Sequence, residues 1–520
     1  MMKRLFPICA WIIAAIVSAC YDDEGNYEYS QLAKVDIAVD KDTIYVTQFT
    51  TLTLPTNVTV EGGTAADYSY SWRLWSNEVG GVKKQKTISS EKDLEYNITE
   101  VPGSYTLLLT CHNNRTLVDS YKSIQLVVQG VITEGWMVLH EKEGKSDFDL
   151  IMTPFFSQRV TTDKVLHNVY ESINGEPLDG KGVKIASFFT SLRYQNVVIL
   201  TDKGGARLDA TTMQKVYDMS TLMPDMTDWH PEGYIFWHYW FRPGRYGFDA
   251  LISNGRFYLY SCIGSMGFTT YVEPITTEGL TYKAAPYAPR YFDYFMALVY
   301  DELHGRFLYV SKNNSGSSND WILREMYDTA SGNVFDMKDM HASLRFMDTG
   351  FNNLDYGLFE DWTTHENYLC SFDFDNSRNN MDKAKYSAID CPEINDAKFF
   401  AVGDLGTVFY YATEKDIYLF DYNGTKTGKK LYTVANSAEK LTGMKLLKPC
   451  VSTGWNRFTS HPYNNKVLVL STYNETTGEG KVYMYYVNPS NGTIDMTSEK
   501  VFDGFGKILD MDYNFPKYGS

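Results

Sequence analysis

Residues 251–260 read LISNGRFYLY. Leu251, Ile252 and Ser253 form a short run, Arg256 to Tyr260 an aromatic-rich one, and Asn254-Gly255 stands between them. Asn-Gly tolerates the positive φ that a two-residue type I′ turn demands, so the stretch reads as a β-hairpin. The pattern recurs. Residues 196–201 turn at Asp202-Lys203-Gly204-Gly205 into 206–208, and residues 296–300 turn at His304-Gly305 into 306–310. Residues 408–412 lead into 416–420, and 467–470 into 481–485. After Gly135 no apolar pattern with the period of a surface helix is sustained.

Spacing between these hairpins is roughly 45 to 60 residues, the range of β-propeller blades. The stretch 131–520 at that period predicts seven blades, with six or eight as alternatives. Residues 135–139 and 506–511 are expected as first and last strands, sharing one blade to close the ring. A further array of β-sandwiches is the alternative architecture. Either way the fold class is all-β.

Residues 34–130 read differently. In 68–74 (YSYSWRL), Tyr68, Tyr70, Trp72 and Leu74 alternate with Ser69, Ser71 and Arg73, the period of a half-buried strand. After the Pro102-Gly103 turn, Tyr105, Leu107 and Leu109 again share a face. A strand at 123–128 closes the unit. About 100 residues of short strands with one inward Trp suit an immunoglobulin-like sandwich. No Cys…Trp…Cys arrangement is present.

The chain opens with Lys3 and Arg4, followed by the apolar stretch 5–17, broken by Pro7. That stretch is shorter than the roughly 20 apolar residues that span a bilayer and has the order of a secretory signal. Val17-Ser18-Ala19-Cys20 looks like a lipobox, which predicts a signal peptide over 1–19, a lipidated Cys20, and a linker to residue 33. A thiol carrying acyl chains anchors stably, because each buried methylene contributes about 0.8 kcal/mol.

Composition narrows the partners. The net charge is −16, with 64 acidic against 48 basic residues, which argues against nucleic acid. Aromatic residues make up 15%, and such residues favour strands while also offering faces to sugars and peptides. Of seven cysteines, Cys9 and Cys20 belong to the signal region; Cys111, Cys262, Cys370, Cys391 and Cys450 are too widely spaced for a disulfide framework or a zinc site. Cys370 and Cys391 are expected either as a bridge or as buried thiols.

Tyr70-Ser71-Trp72 and residues 102–110 (PGSYTLLLT) resemble the Y-x-W and G-x-Y-x-V-x-L-x-V strands of PKD domains, without the usual continuation after the Trp. With the lipobox before and the hairpin repeat after, the chain resembles the PKD-like lipoproteins of Bacteroidota. Asp22, Asp23 and Glu24 resemble the signal that sends such lipoproteins to the outer cell surface. The resemblance implies an outer-membrane protein, lipid-anchored and facing outward, accessory to a SusC/SusD-like importer of oligosaccharides or oligopeptides. It carries over no binding residues. A propeller hydrolase or lyase trimming the substrate, or a purely structural subunit, are the alternatives.

Motifs for catalysis are absent: no HExxH, no P-loop, no G-x-S-x-G. The expectation is therefore a non-enzyme with no cofactor. The densest aromatic stretch, 229–242, places Phe236, His238 and Trp240 on one face and Trp237, Tyr239 and Phe241 on the other. One set packs between blades; the other can stack on ligand. Trp237, Tyr239 and Trp240 are the first binding candidates, with Trp362 and Trp455 near expected loops. His230 and His238 lack a third ligand for a metal. Asp373 and Asp375 begin a loop with alternating oxygen side chains that hints at calcium, but Arg378 and Ala384 stand where a calcium loop has Gly and Glu.

Overall fold

The computed structural model describes residues 34–514 except 62–63, 77–84, 133, 192–193, 239–246, 262–269, 278, 289–296, 313–320, 327–332, 375–380 and 450–460. The segments expected as signal and linker, with Cys20, Asp22, Asp23 and Glu24, lie outside the described residues, as do Tyr239, Trp240, Asp375 and Trp455. The chain divides into two compact units, the first ending at Val127 and the second running from Val128 with 47–49 and 99–102 added.

In the first unit, strands Thr43–Thr47, Asp119–Gln129, Gly103–Asn113, Tyr68–Ser76 and Gln85–Ser89 lie in that order in one sheet. Lys34–Ala38 pairs with Asn57–Glu61, and Thr51–Leu54 with Leu94–Asn97. Alternation in the sequence is alternation in space: Tyr68, Trp72 and Leu74 are buried and Ser69 is exposed. Trp72 is wholly enclosed and its indole N–H donates to the Lys92 carbonyl at 3.2 Å, so a buried donor is satisfied.

The second unit contains seven sheets among the described residues. Sheet I comprises Lys164–Leu166, Lys145–Met152, Gly135–Lys142 and Lys507–Asn514, in that order, with Leu178–Asp179 also pairing to the second of these. Sheet II is Gly182–Ser191, Tyr194–Thr201, Gly204–Asp209 and Lys215–Asp218; sheet III is Pro231–His238, Gly247–Ser253 and Arg256–Ser261. Sheet IV is Ala297–Asp301, Arg306–Lys312, Trp321–Glu325 and Ile275–Thr276, the last pairing parallel. Sheet V holds Ala342–Thr349, Asp355–Asp361, Asn367–Phe372 and Asp382–Ser387. Sheet VI holds Phe399–Val402, Phe409–Ala412, Asp416–Phe420 and Gly428–Thr433, and sheet VII Glu439–Leu446, Val467–Asn474, Glu479–Val487 and Ile494–Phe505.

The opening hairpin explains the local geometry. Ser253 pairs with Arg256 across a two-residue loop, and Asn254 and Gly255 have φ of 50° and 67°. Both central residues are left-handed, as a type I′ turn requires. Its strands are apolar almost throughout because neighbouring sheets cover both faces. The same holds in residues 197–200: Val197 and Ile199 pack against Leu139 and Phe148 of sheet I, whereas Val198 and Leu200 pack against Tyr234 and Leu251 of sheet III.

Each sheet shares a core with the next. Sheets III, IV and V meet through Ala250, Leu323 and Phe359, and sheets V and VI through Leu369 and Phe409. Tyr410 and Leu470 join VI to VII, and Val469 with Trp136 joins VII back to I. The packing therefore forms a cycle. Within sheet I the last strand of the chain pairs antiparallel with the first of the unit, Trp136 opposite Tyr513 and Val138 opposite Met511. The expected sharing of one sheet by the two ends of this unit is present in the strand pairing.

Candidate functional site

A cavity of about 340 Å³ is walled by residues from six of the seven sheets of the second unit and by residues 286–288. Its wall is the first strand of sheets II, III, V, VI and VII, strand Lys507–Asn514 of sheet I, and residues 286–288, which lie between strands Ile275–Thr276 and Ala297–Asp301 of sheet IV. Ligand sites in proteins span about 300 to 1,000 Å³, so this one lies at the small end.

One arc of the wall, from sheets VII, I and II, is ionic. Asp510 accepts from Lys445 Nζ at 3.0 Å, faces Lys184 Nζ at 3.3 Å, and accepts from the Ile185 backbone N–H at 3.1 Å. Asp512, two residues on along the same strand face, accepts from the Ser187 N–H at 2.8 Å. Asn514 continues the row: its Oδ1 accepts from Ser187 Oγ at 3.0 Å and from Gln195 Nε2 at 3.2 Å, while its Nδ2 donates to the Ala210 carbonyl. The closing strand thus satisfies edge groups of sheet II with its side chains.

Burial alone would raise the Asp510 carboxyl, but the Lys184 and Lys445 ammoniums and the Ile185 amide outweigh it and hold it below the usual range. Lys445 is pushed down by burial, against the pull of Asp510. A second knot sits at Lys448, whose ammonium meets Asp404 Oδ1 at 2.8 Å, Asp348 Oδ2 at 3.0 Å, and the carbonyls of Thr349 and Val402.

The other arc is aromatic. Tyr287, from the segment before strand Ala297–Asp301, and Phe346 and Phe400, from the first strands of sheets V and VI, are each half-buried. Tyr287 and Phe346 centroids lie 6.1 Å apart and edge-on; Phe346 and Phe400 lie 5.7 Å apart and tilted. Such spacings are those of attractive ring pairs. Tyr234 and Phe236 extend the lining, with Tyr234 Oη donating to Asp249 Oδ2 at 2.8 Å behind the wall.

This arrangement is suited to binding. A general acid needs a carboxyl raised toward neutrality. Among the described residues the carboxyls held up are Asp147, to about 6 by burial, and Asp249, also by burial, and neither lines the cavity. Among the described residues no group of three or more His, Cys, Asp or Glu is placed to hold a metal ion.

The sequence candidates are scattered relative to this cavity. Trp237 is in strand Pro231–His238, whose neighbours Tyr234, Ile235 and Phe236 contribute to the wall. Trp362 is half-buried away from it: its Nε1 donates to Ser343 Oγ at 2.9 Å and its ring meets His341 edge-on. Asp373, from the calcium reading, faces Lys383 Nζ at 3.6 Å. His230 is largely exposed, 3.9 Å from Glu232. Cys370 and Cys391 are free and buried, and burial pushes the Cys391 thiol up to about 12.

Sequence reading missed Lys184, Lys445, Asp510, Tyr287, Phe346 and Phe400. A signal for three of them existed. Val183-Lys184-Ile185, Met444-Lys445-Leu446 and Leu509-Asp510-Met511 each set one charge between two apolar residues of a strand, which marks a face turned from the inter-sheet core.

The PKD-like family model matches residues 20–182. The match takes in the whole sandwich and runs on through strands Gly135–Lys142, Lys145–Met152 and Lys164–Leu166 of sheet I. No curated protein matches the sequence. From sheet II onward the function rests on the chain's own geometry.

Proposed function

We propose that this chain is a non-catalytic surface lipoprotein: a PKD-like spacer carrying a seven-bladed β-propeller whose central cavity captures an oligosaccharide or oligopeptide for a SusC/SusD-like importer. The observation that carries the binding role is the cavity on which six of the seven sheets and residues 286–288 converge. The propeller reading is supported by the cycle of shared cores and by the pairing of Lys507–Asn514 with Gly135–Lys142. Binding rather than turnover is supported by the Asp510 carboxylate, kept ionised by two ammoniums and so unfit as a general acid. Lipid anchoring at Cys20 with Asp22, Asp23 and Glu24 as the export mark rests on the sequence alone.

Two experiments test the reading. Cys20→Ala should move the protein from the membrane fraction to the soluble one; retention on the membrane contradicts lipid anchoring. Capture of the tagged protein from outer membranes should bring a transporter barrel with it, and recovery of the lipoprotein alone contradicts the accessory role.

A further inference from the structure

The cavity wall carries Lys184, Lys445 and Lys448 against Glu232, Asp348, Asp510 and Asp512. Each charge already has a partner. The three lysines face Asp510, Asp510 again, and Asp348 with Asp404; Asp512 accepts from Ser187 N–H and Glu232 from Gly255 N–H. An anionic ligand would meet a wall with one more carboxylate than ammonium, and a charged ligand that displaced Asp510 or a lysine would break an ion pair that is expensive to leave half-made. Side chains of Lys184 and Lys445 are nonetheless 31% exposed, so their remaining N–H donors can reach an uncharged acceptor.

A peptide is also poorly served. Peptides are commonly taken as an added strand on a free sheet edge, yet Asp510 and Asp512 occupy the Ile185 and Ser187 N–H groups on the edge of sheet II. What remains is a ring arc on one side and carboxylate and ammonium groups on the other. Aromatic faces attract the slightly positive C–H groups of a sugar ring through the ring quadrupole. Charged side chains make the stronger hydrogen bonds to hydroxyls.

We infer that the cavity takes an uncharged saccharide, its C–H face on Tyr287, Phe346 and Phe400 and its hydroxyls on the Lys184–Asp510–Lys445 cluster. This rests on the cavity being the binding site and narrows its ligand to one class. Met347 and Met444 also line the cavity and give a site-specific readout. The mature protein with ¹³C-methyl methionine is titrated separately with neutral glucan, mannan, galactan and xylan oligomers, with oligogalacturonate, and with mixed tetrapeptides.

The expected result is a saturable shift of the Met347 and Met444 signals with a neutral glycan alone. Phe400→Ala and Tyr287→Leu should each weaken that binding at least 10-fold, with melting temperature measured in parallel. If either variant fails to fold, Lys184→Met supplies the same comparison from the ionic side. Shifts with oligogalacturonate or peptides and none with neutral glycans overturn the ligand class but leave the cavity a binding site. No shift with any probe overturns both.

Discussion

Asp510 and Asp147 show how position decides what a carboxylate does. Asp510 sits between two ammoniums and a backbone N–H, and its charge is held. Replacing it by Asn leaves Lys184 and Lys445 facing each other with no anion between them. Asp510→Asn should cost about 1–3 kcal/mol, the penalty of an unsatisfied buried polar group, read as a lower denaturant midpoint at pH 7. Asp147 is the reverse case. Its oxygens accept from the N–H groups of Phe148, Tyr170 and Glu171, but burial dominates and raises the carboxyl to about 6. A folded value above the unfolded one means the native state binds more protons between pH 4 and 6, so this group's contribution to stability falls as pH rises through that window. Relative to Asp147→Asn, the native protein should therefore gain stability on going from pH 7 to pH 4, by up to about 3 kcal/mol. A difference that is flat or opposite in sign contradicts this assignment. The cavity charges themselves were only partly legible. Lys184, Lys445 and Asp510 stand out between apolar neighbours, but nothing in one dimension says that residues more than 300 apart meet.

At the scale of the element, hairpins were the legible part. Asn254-Gly255 and the apolar runs on either side gave the strands of sheet III their position, and the structure repeats that turn with both residues left-handed. Of the aromatic stretch 229–242, residues 231–238 were legible as a strand, and 239–242 lie outside the described residues. Which face meets the cavity was not legible, because the strands of this unit are covered by neighbouring sheets and lose the polar–apolar alternation that would tell the faces apart. Phe346 and Phe400 carried no mark, since each becomes part of an arc only through its neighbours on adjacent sheets. Strand Lys507–Asn514 has the largest structural role for its length. It completes sheet I and places Asp510, Asp512 and Asn514 against sheet II. A chain ending before Lys507 should lose cooperative unfolding and expose Gly135–Lys142 as an unpaired edge, a surface prone to association. Size-exclusion chromatography and limited proteolysis check this. A truncated chain that stays monomeric and resists protease to the same extent as the full one contradicts a closing role for the strand.

For the whole molecule, the PKD-like match ends at residue 182, inside the second unit and at the start of sheet II. The sandwich and every strand of sheet I except Lys507–Asn514 fall within the family model, and the larger part of the cavity wall falls outside it. The cavity wall, with four carboxylates against three ammoniums, shares the acidic balance of the whole chain, whose net charge is −16. The central proposal is that the cavity walled by six of the seven sheets and residues 286–288 binds an uncharged saccharide. A crystal structure of the mature protein, grown with the neutral oligosaccharide that shifts Met347 and Met444 most strongly, tests it directly. The account predicts sugar density inside the ring of sheets, one face on Phe346 and Phe400 and hydroxyls on Asp510 and Lys445. Density for the sugar on an outer loop, with the cavity wall unchanged, would contradict it.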